Sequence, residues 1–195
     1  MIKVYLFVLV CVFGCVNSDV VCKTTTWKKV GCFKDLEKGE NGKRERALHE
    51  QLVNIRDKRS KVYSEPHFDW TRLSESFHSL ACRCAEIARN KGYDVFGLQF
   101  YGECWSETNG KEIYSKFGMA DSKRCVMDYT YDENNNPSGF EHCDISSEQA
   151  CVGQDSTNYV YILGEGMSLW IIAEVYLQTS DNCEYESDGD ARRKF

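Results

Sequence analysis

A run of aromatic and polar side chains that ends at Trp105 offers the clearest chemistry in this sequence. The stretch FGLQFYGECW contains Gln99, Tyr101, Glu103 and Trp105. Aromatic rings pack on the apolar side of a sugar ring, while amide and carboxylate groups form hydrogen bonds with its hydroxyls. These four residues are therefore the candidate ligand-binding set. The alternative is a structural role, in which Trp105 lies in the core and shields a disulfide.

The motifs of common catalytic sites are missing. His49 and Glu50 are followed by Gln51 and Leu52, so a His-Glu-x-x-His zinc site lacks its second histidine. The sequence GEGMS does not place Ser168 between glycines in the register of a nucleophile elbow. A cysteine nucleophile needs a free thiolate, and most thiols here are expected to be oxidised. The sequence thus predicts a non-enzymatic protein with no catalytic residues and no cofactor.

Two patterns resemble metal sites without having the required spacing. Cys82 and Cys84 are separated by one residue, whereas zinc ligands are typically separated by two to four. The stretch DENNNPSGFEHCD lacks the sixth-position glycine and the twelfth-position glutamate of an EF-hand loop. An irregular calcium site there would use Asp132, Asn134, Asn136 and Glu141. We favour a solvated loop and predict no metal site, because Asn, Gly and Pro are turn formers.

The composition of the chain divides it into four parts. Residues 1–18 contain a lysine and then an apolar run, followed by a predicted cleavage site after Ser18, as in a secretory signal peptide. The alternative is a membrane anchor, but the run is shorter than the roughly 20 apolar residues of a spanning helix. The other parts are an N-terminal lead (19–26), a cysteine-rich domain (27–164), and an extension with an apolar segment and a charged tail (165–195). We expect a secreted, extracellular protein with no transmembrane segment.

Cysteine content and charge support this assignment. Of eleven cysteines, the predicted cleavage removes Cys11 and Cys15. The nine that remain are typical of a disulfide scaffold: Cys22, Cys32, Cys82, Cys84, Cys104, Cys125, Cys143, Cys151 and Cys183. Because nine is odd, one thiol is unpaired or bonds to another chain; Cys22 and Cys183 are the candidates, and a covalent dimer could form. The formal net charge of −6 argues against nucleic-acid and anionic-membrane partners.

Hydrophobic patterning predicts an α+β fold. WKKVGCFKD predicts a first strand and STNYVYILG a last one. RALHEQLVNIRD predicts a short helix with Leu48, Leu52 and Ile55 on one face, and SLACRCAEIARNKGYD predicts a longer helix with Gly92 as its left-handed C-cap. We expect a small disulfide-stapled domain with an antiparallel sheet packed on one or two helices. The segments LEKGENGKRER, SETNGKEIYSKFGMADSKRC and YTYDENNNPSGFEHCDISSEQAC are predicted as loops.

The segment between the long helix and Trp105 predicts a further strand. In VFGLQFYGEC, Phe96, Leu98 and Phe100 alternate with smaller or polar residues, as in a strand with one buried face.

The order of these pieces resembles a known extracellular module. The segments GCFKD, RAL, CRCAEIARNKGYDVFGLQFYGECW, CVG and TNYVYIL occur in the order seen in WSC-type cysteine-rich modules, and more closely in the divergent WSC-like modules of secreted marine-invertebrate proteins. The resemblance covers residues 27–164. It implies a small α+β fold related to PAN/apple domains and a carbohydrate-binding or cell-surface sensing role. Ser106 and Glu107 stand where the usual module has cysteine and glycine, so its disulfide scheme cannot be copied.

Three pairings are expected from the arrangement of the elements. A Cys32–Cys151 bridge would join the first strand to the start of the last. Cys104 would pair with Cys82 or Cys84, which point to different sides of the helix and need different partners. Cys125 and Cys143 would pin the long loop.

These observations predict a secreted, non-enzymatic module that binds a carbohydrate or another extracellular-matrix component. The alternative is a secreted protein-interaction factor, toxin-like, inhibitory or structural, that has no glycan ligand.

Overall fold

A sheet of mainly antiparallel strands packed on one long helix forms the structure of residues 22, 25–38 and 42–164, which the computed structural model describes. Its elements are β1 (Trp27–Lys34), β2 (Leu36–Lys38), β3 (Arg44–Arg46), β4 (Glu50–Asn54), α1 (Leu73–Asn90), β5 (Val95–Gln99), β6 (Glu103–Ser106), α2 (Gly110–Ile113), β7 (Cys125–Tyr131), β8 (Pro137–His142), β9 (Val152–Gly153) and β10 (Thr157–Leu163). None of the helices in these residues is long and apolar enough to cross a membrane. The predicted signal peptide and extension lie outside the described residues.

The sheet has an antiparallel body with the strand order β1-β10-β5-β6-β4. β9 lies parallel to the end of β5, where Gln99 is opposite Gly153. β7 pairs with β9, and β8 pairs with β7, so that β7 and β8 form a two-stranded ribbon. β2 and β3 form a separate hairpin. The predicted fold class, an α+β disulfide-stapled domain with an antiparallel sheet, is confirmed.

The central strand β5 is buried on both faces. Phe96 and Leu98 belong to the main core, which they share with α1. Val95 packs on the other side with Phe33 and Val160 in a second, smaller cluster. This alternation follows from the two-residue period of a strand. The predicted burial of Phe96 and Leu98 is confirmed, but Phe100 is only half-buried because the strand ends at Gln99.

Helix α1 ends as its sequence predicts. Gly92 has a φ of +76°, a conformation that glycine adopts without steric cost. Its N–H donates to the carbonyl of Arg89 (2.9 Å), and the N–H of Tyr93 donates to that of Ala88 (2.9 Å). These two bonds define a Schellman motif. The helix begins at Leu73, earlier than the hydrophobic stripe indicated, and adds Leu73 and Phe77 to the core.

The predicted helix around Leu52 is wrong. The segment forms strand β4 instead, which pairs with β6. Leu48, Leu52 and Ile55 are buried, but so are Val53 and Asn54. A continuous buried run suits a strand that is covered on both faces. Pairing with β6 therefore overrides the local helical spacing.

Two of the predicted loops also contain strands. β2 and β3 pair within the charged segment after Asp35, and β7 and β8 pair within the polar segment after Cys125. Little side-chain signal marks β8, because five of its six residues are exposed.

The described cysteines form four disulfides: Cys22–Cys82, Cys32–Cys125, Cys84–Cys104 and Cys143–Cys151. The expected pairing of Cys104 with one of the two helix cysteines is confirmed, as are the separate partners of those two. Cys22 is bonded, so it is not the unpaired thiol. Cys183 lies outside the described residues, and the covalent dimer stays a prediction.

The other two expected pairings are wrong. The chain after α2 runs along the free edge of β1, where Ala120 N–H donates to the Cys32 carbonyl (3.0 Å). This path brings Cys125, rather than Cys151, to Cys32. Cys143 does lie beside Cys125, since its N–H donates to the Cys125 carbonyl (3.0 Å), but its sulfur bonds to Cys151 across a short loop.

The four bridges should differ in their stabilising effect. Cys32–Cys125 closes a separation of 93 residues and Cys143–Cys151 one of 8. Loop-closure entropy predicts that the longer bridge contributes about 2 kcal/mol more to the free energy of unfolding. We expect the double variant Cys32→Ala/Cys125→Ala to lose correspondingly more than Cys143→Ala/Cys151→Ala in chemical denaturation. Equal losses would contradict this entropic account.

Candidate functional site

The β5–β6 hairpin carries all four candidate residues and divides them into two groups. Its turn has φ values of +47° at Phe100 and +66° at Tyr101. Hairpin turns of this kind usually contain Asn or Gly, because a side chain at positive φ is strained. Gln99 and Glu103 face each other where the strands leave the turn. Tyr101 projects from the turn into a different group of contacts.

Gln99 belongs to a buried polar network around Asp35, which has no solvent exposure. Oδ2 of Asp35 accepts from the Arg46 guanidinium and from Gln99 Nε2 (3.1 Å). Its Oδ1 accepts the backbone N–H groups of Ala47 (3.2 Å) and Leu48 (3.1 Å). Arg46 also donates to Gln99 Oε1 (2.7 Å). We call Asp35, Arg46 and Gln99 the Asp35 network. Gln99, which is 2 % exposed, has both amide atoms occupied within it.

Trp105 and Glu103 lie against this network. The Arg46 guanidinium is 3.7 Å from the centre of the Trp105 ring, a cation–π contact. The indole N–H of Trp105 donates to Glu103 Oε2 (2.9 Å). One face and the polar atom of Trp105 are therefore engaged inside the protein. Such contacts favour the structural role for Trp105 over ligand binding.

Burial raises the pKa of the Glu103 carboxyl, and the Trp105 hydrogen bond and the charges of Arg46 and Arg56 oppose this shift in part. The ionised form is thus less favourable in the folded protein than in the unfolded chain. Glu103 therefore contributes fully to the free energy of unfolding at pH values below its pKa in the unfolded chain. That contribution is lost as the pH rises through its pKa in the folded protein.

Replacing Glu103 with glutamine should increase the free energy of unfolding at pH 7. An amide oxygen still accepts from Trp105, while the cost of burying a charge is removed. The gain should shrink as the pH falls through the raised pKa of folded Glu103, and it should reach its minimum at about pH 4, where an ordinary glutamate is protonated. Chemical denaturation across this pH range measures both effects, with the exposed Glu112→Gln as control. A pH-independent difference would contradict the assignment.

Tyr101 lies in a continuous line of aromatic rings at the surface. Its ring centre is 5.4 Å from that of Trp70 and 5.7 Å from that of Phe140. Phe140 stacks on Tyr129 (5.4 Å), and Tyr129 contacts Tyr131 (6.4 Å). We call these five residues the aromatic row. Its ends are open to solvent, with 42 % of Trp70 and 52 % of Tyr131 exposed.

Three separate parts of the chain build the aromatic row. Trp70 comes from the loop before α1, Tyr101 from the β5–β6 turn, and the other three rings from the β7–β8 ribbon. Buried Phe77 lies against Tyr101 (6.5 Å) and buried Phe68 against Trp70 (4.6 Å), so the row rests on the core. Sequence analysis identified only Tyr101. Tyr129 and Tyr131 do alternate, but the polar residues that follow them predict a loop.

The two halves of the row differ in charge. Arg124 and Arg56 lie close enough to Tyr101 to oppose the rise in its pKa that burial causes. In the other half, burial raises the pKa of Tyr129, and the neighbouring Tyr131 and Asp128 add to the shift. Residues 125–143 contain four carboxylates and no lysine or arginine.

The loop that contains the candidate calcium ligands Asp132, Asn134 and Asn136 forms a tight turn. Oδ1 of Asp132 accepts the backbone N–H groups of Asn134 (2.9 Å) and Asn136 (2.8 Å), and these bonds lower its pKa. This is the behaviour of an aspartate in an Asx turn.

One group of the described residues has metal-ligand spacing: Cys22, His78 and Cys82, with their ligand atoms within 4.8 Å of one another. The two sulfurs are bonded to each other, so neither is the thiolate that a metal requires.

A cleft of about 800 Å³ lies between the start of α1 and residues 148–150. Arg72 at its wall is paired with Asp69 (3.0 Å) and Glu75 (3.1 Å). The hydrogen bonds from Thr71 and Arg72 lower the pKa of Asp69 to about 2. Since these charges satisfy one another, the cleft offers less for ligand recognition than the aromatic row.

Comparison with models of protein families, with curated proteins and with solved structures finds no match for this chain. The resemblance to WSC-like modules therefore stays a prediction.

Proposed function

We propose that this protein is a secreted, non-enzymatic module that binds a carbohydrate through the aromatic row. The observation that carries the proposal is the row itself, in which five rings from three segments meet at the surface and both end rings are open to solvent. Aromatic rings supply large apolar contact area, and Tyr and Trp add a polar atom that can bond to a hydroxyl. Tyr101 keeps the ligand-binding role predicted for it. In this proposal Trp70 and Tyr131 take the ligand-binding role that the sequence predicted for Trp105.

The support beneath the row favours binding without large rearrangement. The Cys84–Cys104 bridge ties the β5–β6 hairpin to α1, and Cys32–Cys125 anchors the start of the ribbon to β1. Rings held in place before the ligand arrives lose little conformational entropy on binding. The four disulfides also support the predicted secretion, since disulfides persist in oxidising compartments.

Truncating the exposed ends of the row should weaken binding to polysaccharides. We expect Trp70→Ala or Tyr131→Ala to lower affinity about five-fold or more, as for a binding hot spot of at least 1 kcal/mol. Met119→Ala is the control, because it removes an exposed apolar side chain (70 % exposed) outside the row. Trp105→Ala should reduce the free energy of unfolding but leave affinity unchanged. Retention on insoluble polysaccharides and a soluble glycan screen measure affinity.

The result that overturns the proposal is a folded, oxidised protein from residue 19 onward that binds no polysaccharide. A second contrary result is binding that Trp105→Ala abolishes and the row variants do not affect. The first outcome would leave the protein-interaction factor as the remaining candidate.

A further inference from the structure

The edges of the sheet are covered unequally. At the outer edge of β1, Ala120 N–H donates to the Cys32 carbonyl (3.0 Å), and beside β4, Asn54 N–H donates to the Val62 carbonyl (3.0 Å). Strand β8 pairs with β7 on one side, and its other side has no backbone partner among the described residues. An open edge of this kind is a template for another strand.

The ribbon next to this edge contains an uncompensated pair of like charges. Asp128 on β7 is directly opposite Glu141 on β8, so their side chains share one face of the ribbon. Neither carboxylate has a basic group within 4.0 Å in the described part of the chain. Like charges at directly opposite positions destabilise a sheet. A cation brought in beside Glu141 would remove this cost.

We propose that the outer edge of β8 binds an extended segment of a partner protein that carries lysine or arginine at alternate positions. The backbone of that segment would pair with β8 as an added strand. Side chains of an added strand alternate between the two faces. Those on one face would lie beside Glu141 and those on the other beside Phe140, so the fitting segment alternates basic and apolar residues.

Charge argues against β8 of a second copy of this chain as the occupant. β8 contains one carboxylate and no lysine or arginine, and the whole of residues 125–143 contains none either. Pairing β8 with β8 would therefore bring like charges together, and this repulsion disfavours a symmetric dimer through this edge.

Synthetic peptides test the backbone and charge requirements separately. The probe is a peptide of alternating lysine and valine, labelled for fluorescence anisotropy and titrated with the oxidised protein from residue 19 onward. One matched peptide replaces lysine with glutamate, and another carries N-methyl groups on alternate backbone amides. We expect both changes to weaken binding at least ten-fold. Equal binding of the N-methylated peptide would overturn strand addition, because that peptide keeps every charge but cannot pair along one edge.

Charge reversal at Glu141 tests the position of the site. Glu141→Lys should raise the thermal unfolding midpoint, because it turns the pair with Asp128 into an attractive one. The same variant should bind the lysine peptide at least ten-fold more weakly and the glutamate peptide more tightly. Glu133→Lys is the matched control, since it makes the same change in net charge in the turn beyond the strands. Glu141→Gln serves if the reversal impairs folding. Equal effects at residues 133 and 141 would overturn the proposal.

Discussion

The buried carboxylate of Asp35 determines how three distant parts of this chain come together. It lies between β1 and β2, and it binds the Arg46 side chain, the backbone that leads into β4, and Gln99 at the end of β5. A buried charge is tolerated only when it is paired and its remaining lone pairs are satisfied. Here the pairing also sets the position of Arg46, whose guanidinium then covers Trp105. Of the four residues predicted to bind a ligand, three therefore support the fold around one carboxylate: Gln99, Glu103 and Trp105.

The turn of the same β5–β6 hairpin contributes to the surface rather than to the buried network. Phe100 and Tyr101 adopt a backbone conformation that costs roughly 1–2 kcal/mol per residue for an ordinary side chain. Contacts on both sides compensate. Arg56 lies 3.5 Å from the centre of the Phe100 ring, and Tyr101 packs between Trp70 and Phe140. A strained turn thereby holds Tyr101 in place within the aromatic row.

Sequence reasoning succeeded where the signal is local and failed where it depends on distant partners. The conformational freedom of glycine alone predicts the Gly92 cap. The two-residue hydrophobic period of a strand predicts the alternation of Phe96 and Leu98, and local strand patterns predict the first and last strands. The segment at Leu52 has helical spacing, and only pairing with β6 makes it a strand. The disulfide pattern depends on the path of the chain past β1, which no spacing reveals. The aromatic row could not be predicted for the same reason, since its rings come from three segments that are far apart in sequence.

The disulfide pattern also determines what proteolysis would do to this protein. Cys22–Cys82 and Cys32–Cys125 overlap, so a single cut anywhere from residue 23 to residue 124 leaves the two fragments covalently joined. Cys143–Cys151 begins only after the ribbon, and no described bridge spans the stretch between Cys125 and Cys143. A protease that cleaves at the ribbon tip would therefore release the two halves from all covalent connection through the described disulfides. The same ribbon that extends the sheet is thus the point at which one cut would leave no described disulfide between the two halves.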